Sequence, residues 1–235
     1  MTALILVPGL MCDRTVWEPQ IRDLAGIADC SVPDHGTLNA LPAMAAAILA
    51  QAPPTFALAG HSMGGRVAFE VFRQVPQRVE RMALLDTNYK PFPAGASGEQ
   101  EREGRYKLLE IAKSDGVPTM AQEWVQGMVH PDRKGDPDLI PAIVEMFGRK
   151  SAKIFEAQIT ALLNRPDAGP LLEQIHVPAL ILCGAQDAWS PPSAHREISA
   201  KISSSRLVIV EGSGHMVTLE RPEAVSEALG AWLTA

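Results

Sequence analysis

Six short apolar runs set the limits on what this chain can fold into. They are Ala3–Val7, Cys30–Val32, Phe56–Ala59, Arg81–Leu85, Ala179–Cys183 and Leu207–Val210. Most lack the polar alternation of a half-solvated strand, which is the pattern of strands buried on both faces. Helical patterns separate them, so right-handed crossovers and a mainly parallel sheet are expected. The 235 residues suit one domain with an excursion, and 46% hydrophobic residues supply a large core.

The helical patterns have readable limits. Leu38 to Gln51 is Ala-rich and stops before Pro53-Pro54; Met63 to Gln74 stops before Pro76. Pro191 suits the first turn of a helix after Ser190, and a last helix is expected from Pro222, with Val225, Leu229, Trp232 and Leu233 as its stripe. From Asn88 to Pro170 the rhythm breaks. Stripes at Ala121–Val129, Leu139–Phe147 and Ile154–Leu163, with a weaker one at Arg102–Ala112, predict an all-helical insert. The expected division is therefore an α/β core of residues 1–87 and 171–235 with a helical cap insert at 88–170.

A net charge of −6 and no long basic run argue against nucleic acid or an anionic membrane as partner. A small molecule is the expected partner. Met1-Thr2-Ala3 runs straight into an apolar strand with no basic segment before it, and no run reaches a membrane-spanning length. Cys12, Cys30 and Cys183 are too few and too scattered for a disulfide framework or a zinc cage, so reduced thiols and a cytoplasmic location are expected. No histidine pair has metal-ligand spacing, and no metal or cofactor is expected.

The chemistry centres on Gly60-His61-Ser62-Met63-Gly64-Gly65, which follows an apolar strand and opens a helix. A serine on such a turn is lifted off the strand end, and residues two away on either side must be small. The competing reading is a Gly-rich turn with a serine helix cap. A phosphate loop is disfavoured, because neither G-x-G-x-x-G nor a Gly-Lys-Ser/Thr ending is present.

A serine hydroxyl needs a base. His215, in Gly212-Ser213-Gly214-His215, and Asp187, in Gly184-Ala185-Gln186-Asp187, both follow apolar strands. In a parallel sheet such positions gather on one edge, where ligands bind. The order Ser62, Asp187, His215 predicts nucleophile, orienting acid and base. Asp86 also ends a strand and is the rival acid. Developing negative charge needs two donors: the Met63 N–H, and the Leu10 N–H on the loop Val7-Pro8-Gly9-Leu10. His61 is expected to point away from Ser62; His35, His130, His176 and His195 read as loop or helix-surface residues.

These segments, with Leu219-Glu220-Arg221-Pro222, resemble the α/β-hydrolase superfamily in its branch of small cofactor-free serine esterases. Pimeloyl-carrier-protein methyl ester esterases, enol-lactone hydrolases and cofactor-free haloperoxidases are about equally similar. The resemblance implies a cap over the site and carboxylic ester hydrolysis through an acyl-serine. The chain departs from it by opening directly on the first motif strand, without the two antiparallel strands that usually precede it, so a sheet of about six strands is expected. Pro8-Gly9 departs from the family's frequent His-Gly pair, and Pro33–Thr37 matches the family's turn only in part. Ser62 excludes the aspartate-nucleophile relatives, dehalogenases and epoxide hydrolases.

Met11, Trp124, Met128, Trp189 and Met216, with Leu10 and Met63, are candidate pocket residues, implying an apolar acyl group if they face a cavity. Thioesters, lactones or carbon–carbon bonds are open to the same machinery. A triad-bearing receptor or signalling protein with slow or single turnover is the alternative, and a lyase using His215 without an acyl-enzyme is a third.

Overall fold

The computed structural model describes residues 1–235. In chain order its regular elements are β1 (Thr2–Val7), α1 (Glu18–Leu24), β2 (Ala28–Ser31), α2 (Leu41–Leu49), β3 (Phe56–His61), α3 (Met63–Gln74) and β4 (Val79–Leu85). There follow α4 (Ala96–Ser114), α5 (Val117–Val125), α6 (Leu139–Gly148), α7 (Ala152–Leu163) and α8 (Gly169–Leu172). The chain closes with β5 (Ala179–Gly184), α9 (Pro192–Lys201), β6 (Ser205–Val210), α10 (Val217–Glu220) and α11 (Pro222–Thr234).

The six strands form one sheet in the order β2-β1-β3-β4-β5-β6. Every neighbouring pair is parallel, so the sheet is wholly rather than mainly so. The apolar runs become strands because both faces are covered: all six residues of β3 and of β5 are buried. Each fully buried Leu or Ile contributes about 1.5–3 kcal/mol, so truncating Leu58, fully buried at the sheet centre, costs about 2–5 kcal/mol.

The chain moves outward from β1 to β2, then returns across β1 to β3. Right-handed crossovers of opposite direction place α1 on one face and α2 and α3 on the other. The packing agrees: α2 lies against α3, and α1 against α11. The reversal opens a crevice at the carboxyl ends of β1 and β3. Val7 pairs with Gly60 there, so the loop after β1 and the turn after β3 leave the sheet side by side.

Helices α4–α8 all lie between β4 and β5. They pack on one another through α4–α5, α5–α6 and α4–α7 contacts. No helix is long and apolar enough to cross a membrane. The three cysteines are free thiols.

Some details depart from the sequence expectation. Helix α1 went unread. It follows a 3-10 turn, Arg14–Trp17, capped by Asp13 accepting from the Thr15 N–H, and buries Gln20 and Leu24. Helix α2 starts at Leu41 rather than Leu38, with Pro42 in its first turn, where a missing N–H costs nothing. Pro191 is the N-cap of α9, and Pro192 takes the first helical position.

Candidate active site

The turn between β3 and α3 brings Ser62 to the crevice. Ser62 has φ 55° and ψ −117°, a left-handed conformation costly for a non-glycine residue. Its N–H donates to the Leu85 carbonyl at 2.9 Å and its carbonyl accepts from Thr87 Oγ1 at 2.7 Å, which hold the strained turn against β4. A Cβ at Gly60 would run into the Gly64 backbone, and one at Gly64 into the Val7 carbonyl. The two glycines therefore let strand, turn and helix pack at backbone contact.

Ser62 Oγ lies 2.8 Å from His215 Nε2, and His215 Nδ1 lies 2.8 Å from Asp187 Oδ2. The three residues come from the ends of β3, β6 and β5. The other Asp187 oxygen accepts the N–H groups of Trp189 and Ser190. Burial pushes this carboxyl up, but the charge and hydrogen bond of His215 and the two N–H groups outweigh burial and hold it below the usual carboxylate range. Ionised Asp187 keeps the imidazole proton on Nδ1, leaving Nε2 free to accept the Ser62 hydroxyl proton.

Asp86, the rival acid, points elsewhere. It is fully buried, with φ 45°, and accepts from the Gly184 and Val217 N–H groups, 3.5 Å from His61 Nε2. It ties the loops after β4, β5 and β6 together and makes no hydrogen bond to His215.

The Leu10 N–H, in the loop after β1, and the Met63 N–H, at the start of α3, take no acceptor from the protein. They are free for an external oxygen. Gly9 sits so close to Ser62 that an added Cβ would meet Ser62 Cβ at 3.2 Å and His61 Nδ1 at 3.1 Å.

Two groups that hold this arrangement escaped the sequence reading. Gln158, on α7 and buried, accepts the Met11 N–H on its Oε1 at 2.9 Å. Met11 has φ 63°, so a helix from the insert pins a strained loop beside Leu10. Glu220 accepts from Gly214 and Met216 on one oxygen and from His130 on the other. Burial raises its pKa against those three N–H donors. It fastens the His215 loop to the insert, as does the His215 N–H donating to the Met128 carbonyl at 2.6 Å. Glu220 lay within a segment quoted for the family resemblance; Gln158 left no signal.

The histidines require correction. His35 does lie in a loop, but it is buried, and His195 is on the buried face of α9 and not on a helix surface. His195 Nε2 accepts the Thr87 N–H at 3.1 Å. Burial pushes His35 down to about 4, leaving it neutral. His61 does turn from Ser62 Oγ: its Nε2 lies 2.8 Å from the His215 carbonyl oxygen. No group of three His, Cys, Asp or Glu side chains is arranged to hold a metal ion.

Two chambers meet at Ser62 and His215. The smaller, about 60 Å³, is mainly apolar and takes in Leu10, Met128, Phe147 and Met216. The larger, about 530 Å³, includes Met63 and joins six hydrophobic residues to arginines, carboxylates and amides. Trp124 and Trp189 border both. They stack at 5.9 Å between centroids, and Trp189 lies 4.9 Å from the His215 ring. Met11 faces neither chamber and is fully buried.

A parallel α/β sheet bearing a Ser–His–Asp network at its carboxyl edge defines the serine hydrolase class of site. Residues 4–228 match the Alpha/beta hydrolase family, and the chain belongs to it. It is 26% identical over 241 residues to the biotin biosynthesis bifunctional protein BioHC of Cellvibrio japonicus, covering 96% of this chain but 46% of that protein. The chain thus spans about half the length of that relative. It is 27% identical to the (E)-2-((N-methylformamido)methylene)succinate hydrolase of Acinetobacter baylyi, covering 98% of this chain and 89% of the relative. A thermophilic esterase from Thermogutta terrifontis superposes with a TM-score of 0.86 at 26% identity, covering 100% of this chain and 90% of that one.

Proposed function

We propose that the protein is a carboxylic ester hydrolase working through an acyl-Ser62 intermediate. The observation that carries this reading is the unbroken chain Ser62 Oγ, His215 Nε2, His215 Nδ1, Asp187 Oδ2, with both links at 2.8 Å, opening onto a cavity. Ser62 attacks the ester carbonyl as His215 takes its proton. The oxyanion accepts hydrogen bonds from the Leu10 and Met63 N–H groups. His215, held as imidazolium by Asp187, then protonates the departing alkoxide. Water enters, gives its proton to His215 and attacks the acyl carbonyl, and the second tetrahedral adduct expels Ser62.

Residues 88–170 act in this reading as a cap that shapes the substrate space, with Trp124 and Met128 as its contacts at the reacting centre, across from Trp189 and Met216 of the core. Met11 serves the loop and not the substrate. The named activities of the similar proteins are compatible with hydrolysis at such a site.

The test is steady-state turnover of p-nitrophenyl esters of increasing acyl length, wild type against Ser62→Ala. Turnover is expected in the wild type, with the chain-length optimum sizing the chamber that takes the acyl group, and the variant is expected to lose all but background. Equal rates in the two proteins would contradict the assignment.

A further inference from the structure

The protein carries a net negative charge, yet the larger chamber collects three arginines: Arg66 on α3, Arg105 on α4 and Arg165 just past α7. Two carboxylates also border it. Asp86 is turned into the backbone. Glu101 is shared, accepting from Arg165 at 2.6 and 2.7 Å and from Arg105 at 2.8 and 3.0 Å. One carboxylate thus answers two guanidinium groups.

Arg66 has none. Its one hydrogen bond in the protein runs from Nη1 to the Lys90 carbonyl at 2.9 Å, and no acidic side chain lies within ion-pair distance. Burial, followed by repulsion from Arg165, and then from Arg105, outweighs the pull of Glu101 and brings its pKa down to about 9. It remains a cation at neutral pH, partly exposed in the chamber and without a counter-charge on the protein, so an anionic ligand can pair with it. Buried Arg165 has its Nε without a partner.

The position of Arg66 fits recognition near the reacting bond. It follows Ser62 by four residues, one turn or about 6 Å along the helix axis. Both border the same chamber. The adjoining chamber of about 60 Å³ has room for a methyl or ethyl group and no cation beyond Arg105 at its border.

We propose that the larger chamber is a carboxylate subsite, and that the preferred substrate is a short-chain ester bearing a carboxylate against Arg66 and a small uncharged group in the apolar chamber. This substrate class rests on the ester hydrolase reading above; the anion subsite does not. The guanidinium fork matches a planar carboxylate, and one monoanion supplies the partner that Arg66 lacks.

The experiment compares monomethyl glutarate with dimethyl glutarate, and uses free glutarate as a probe of binding. The wild type is expected to favour the hemiester by about tenfold or more in kcat/KM. Arg66→Met is expected to lower kcat/KM for the hemiester about tenfold more than for the diester, chiefly through KM. Calorimetry on Ser62→Ala is expected to show glutarate binding that weakens about tenfold when Arg66→Met is added. A wild-type preference for the diester overturns the substrate class. Absence of glutarate binding, or tighter binding of inorganic phosphate, overturns the carboxylate subsite. Arg66-dependent glutarate binding without turnover of any ester would sustain the subsite and defeat the hydrolase reading instead.

Discussion

The sheet edge and the helical insert contribute to one site in different ways. At the edge, Ser62, Asp187 and His215 are held by backbone: the strained turn after β3, two N–H groups on Asp187, and Glu220 and Met128 fastening the His215 loop. In the insert, Arg105 and Arg165 are held by Glu101, and Trp124 by the rings of Phe147 and Phe155, through side chains from α4, α5, α6 and α7 and its end. The difference teaches that a parallel sheet fixes reacting groups by topology, whereas what surrounds the substrate is set by side chains that can change without disturbing the sheet. We therefore assign the reaction to the edge and selectivity to the insert, with Arg66 at the border between them.

The largest effect is expected at the edge. Asp187→Asn should lower kcat by about 10³–10⁴-fold, because the imidazole loses the acceptor that fixes its tautomer. Asp86→Asn removes a buried acceptor from Gly184 or Val217 and is expected to cost about 1–3 kcal/mol of stability, with a kcat loss below about tenfold. Kinetics and thermal unfolding of both variants check this. The reverse ranking in kcat would move the acid to Asp86 and break the division.

A smaller effect should cross the boundary. Gln158→Ala leaves the Met11 N–H unpaired in a buried loop and loosens Leu10. About a tenfold loss in kcat with little change in KM is expected. A KM effect alone would mean that α7 serves substrate contact and not the oxyanion loop.

The smallest effect on activity at neutral pH, and the sharpest regional contrast, lies in acid stability. Buried His35, in the core, has its pKa lowered from 6.5 to about 4. The unfolded chain takes up its proton first, so stability falls as pH drops from about 6.5 to 4. Glu101, in the insert, falls from 4.5 to about 2: burial opposes ionisation, but Arg165 and Arg105 win. Its contribution is present above about 4.5 and lost as pH falls towards 2. Unfolding midpoints measured against pH should lose the first slope in His35→Gln and the second in Glu101→Gln.

How legible each region was in the sequence follows the same line. All six strands were readable, because burial on both faces leaves unbroken apolar runs. Ser62, Asp187 and His215 were readable because each follows such a run. Helix α1 was not, since its stripe is short and interrupted by buried polar Gln20. The burial of His35 and His195 was not readable, because it depends on segments that topology alone brings near; His195 there takes the Thr87 N–H, while His35 Nε2 has no partner. The arginines of the larger chamber stand far apart in the chain, and each alone resembles a solvated charge; only their convergence on one chamber makes them a cluster.

Mass spectrometry of the protein quenched during turnover of a p-nitrophenyl ester tests the central claim most directly. The account predicts one adduct of acyl mass, confined to the peptide containing Ser62, appearing within the first turnover and disappearing as substrate is exhausted. Rapid turnover with no adduct on Ser62, or a single adduct that persists without further turnover, would contradict it.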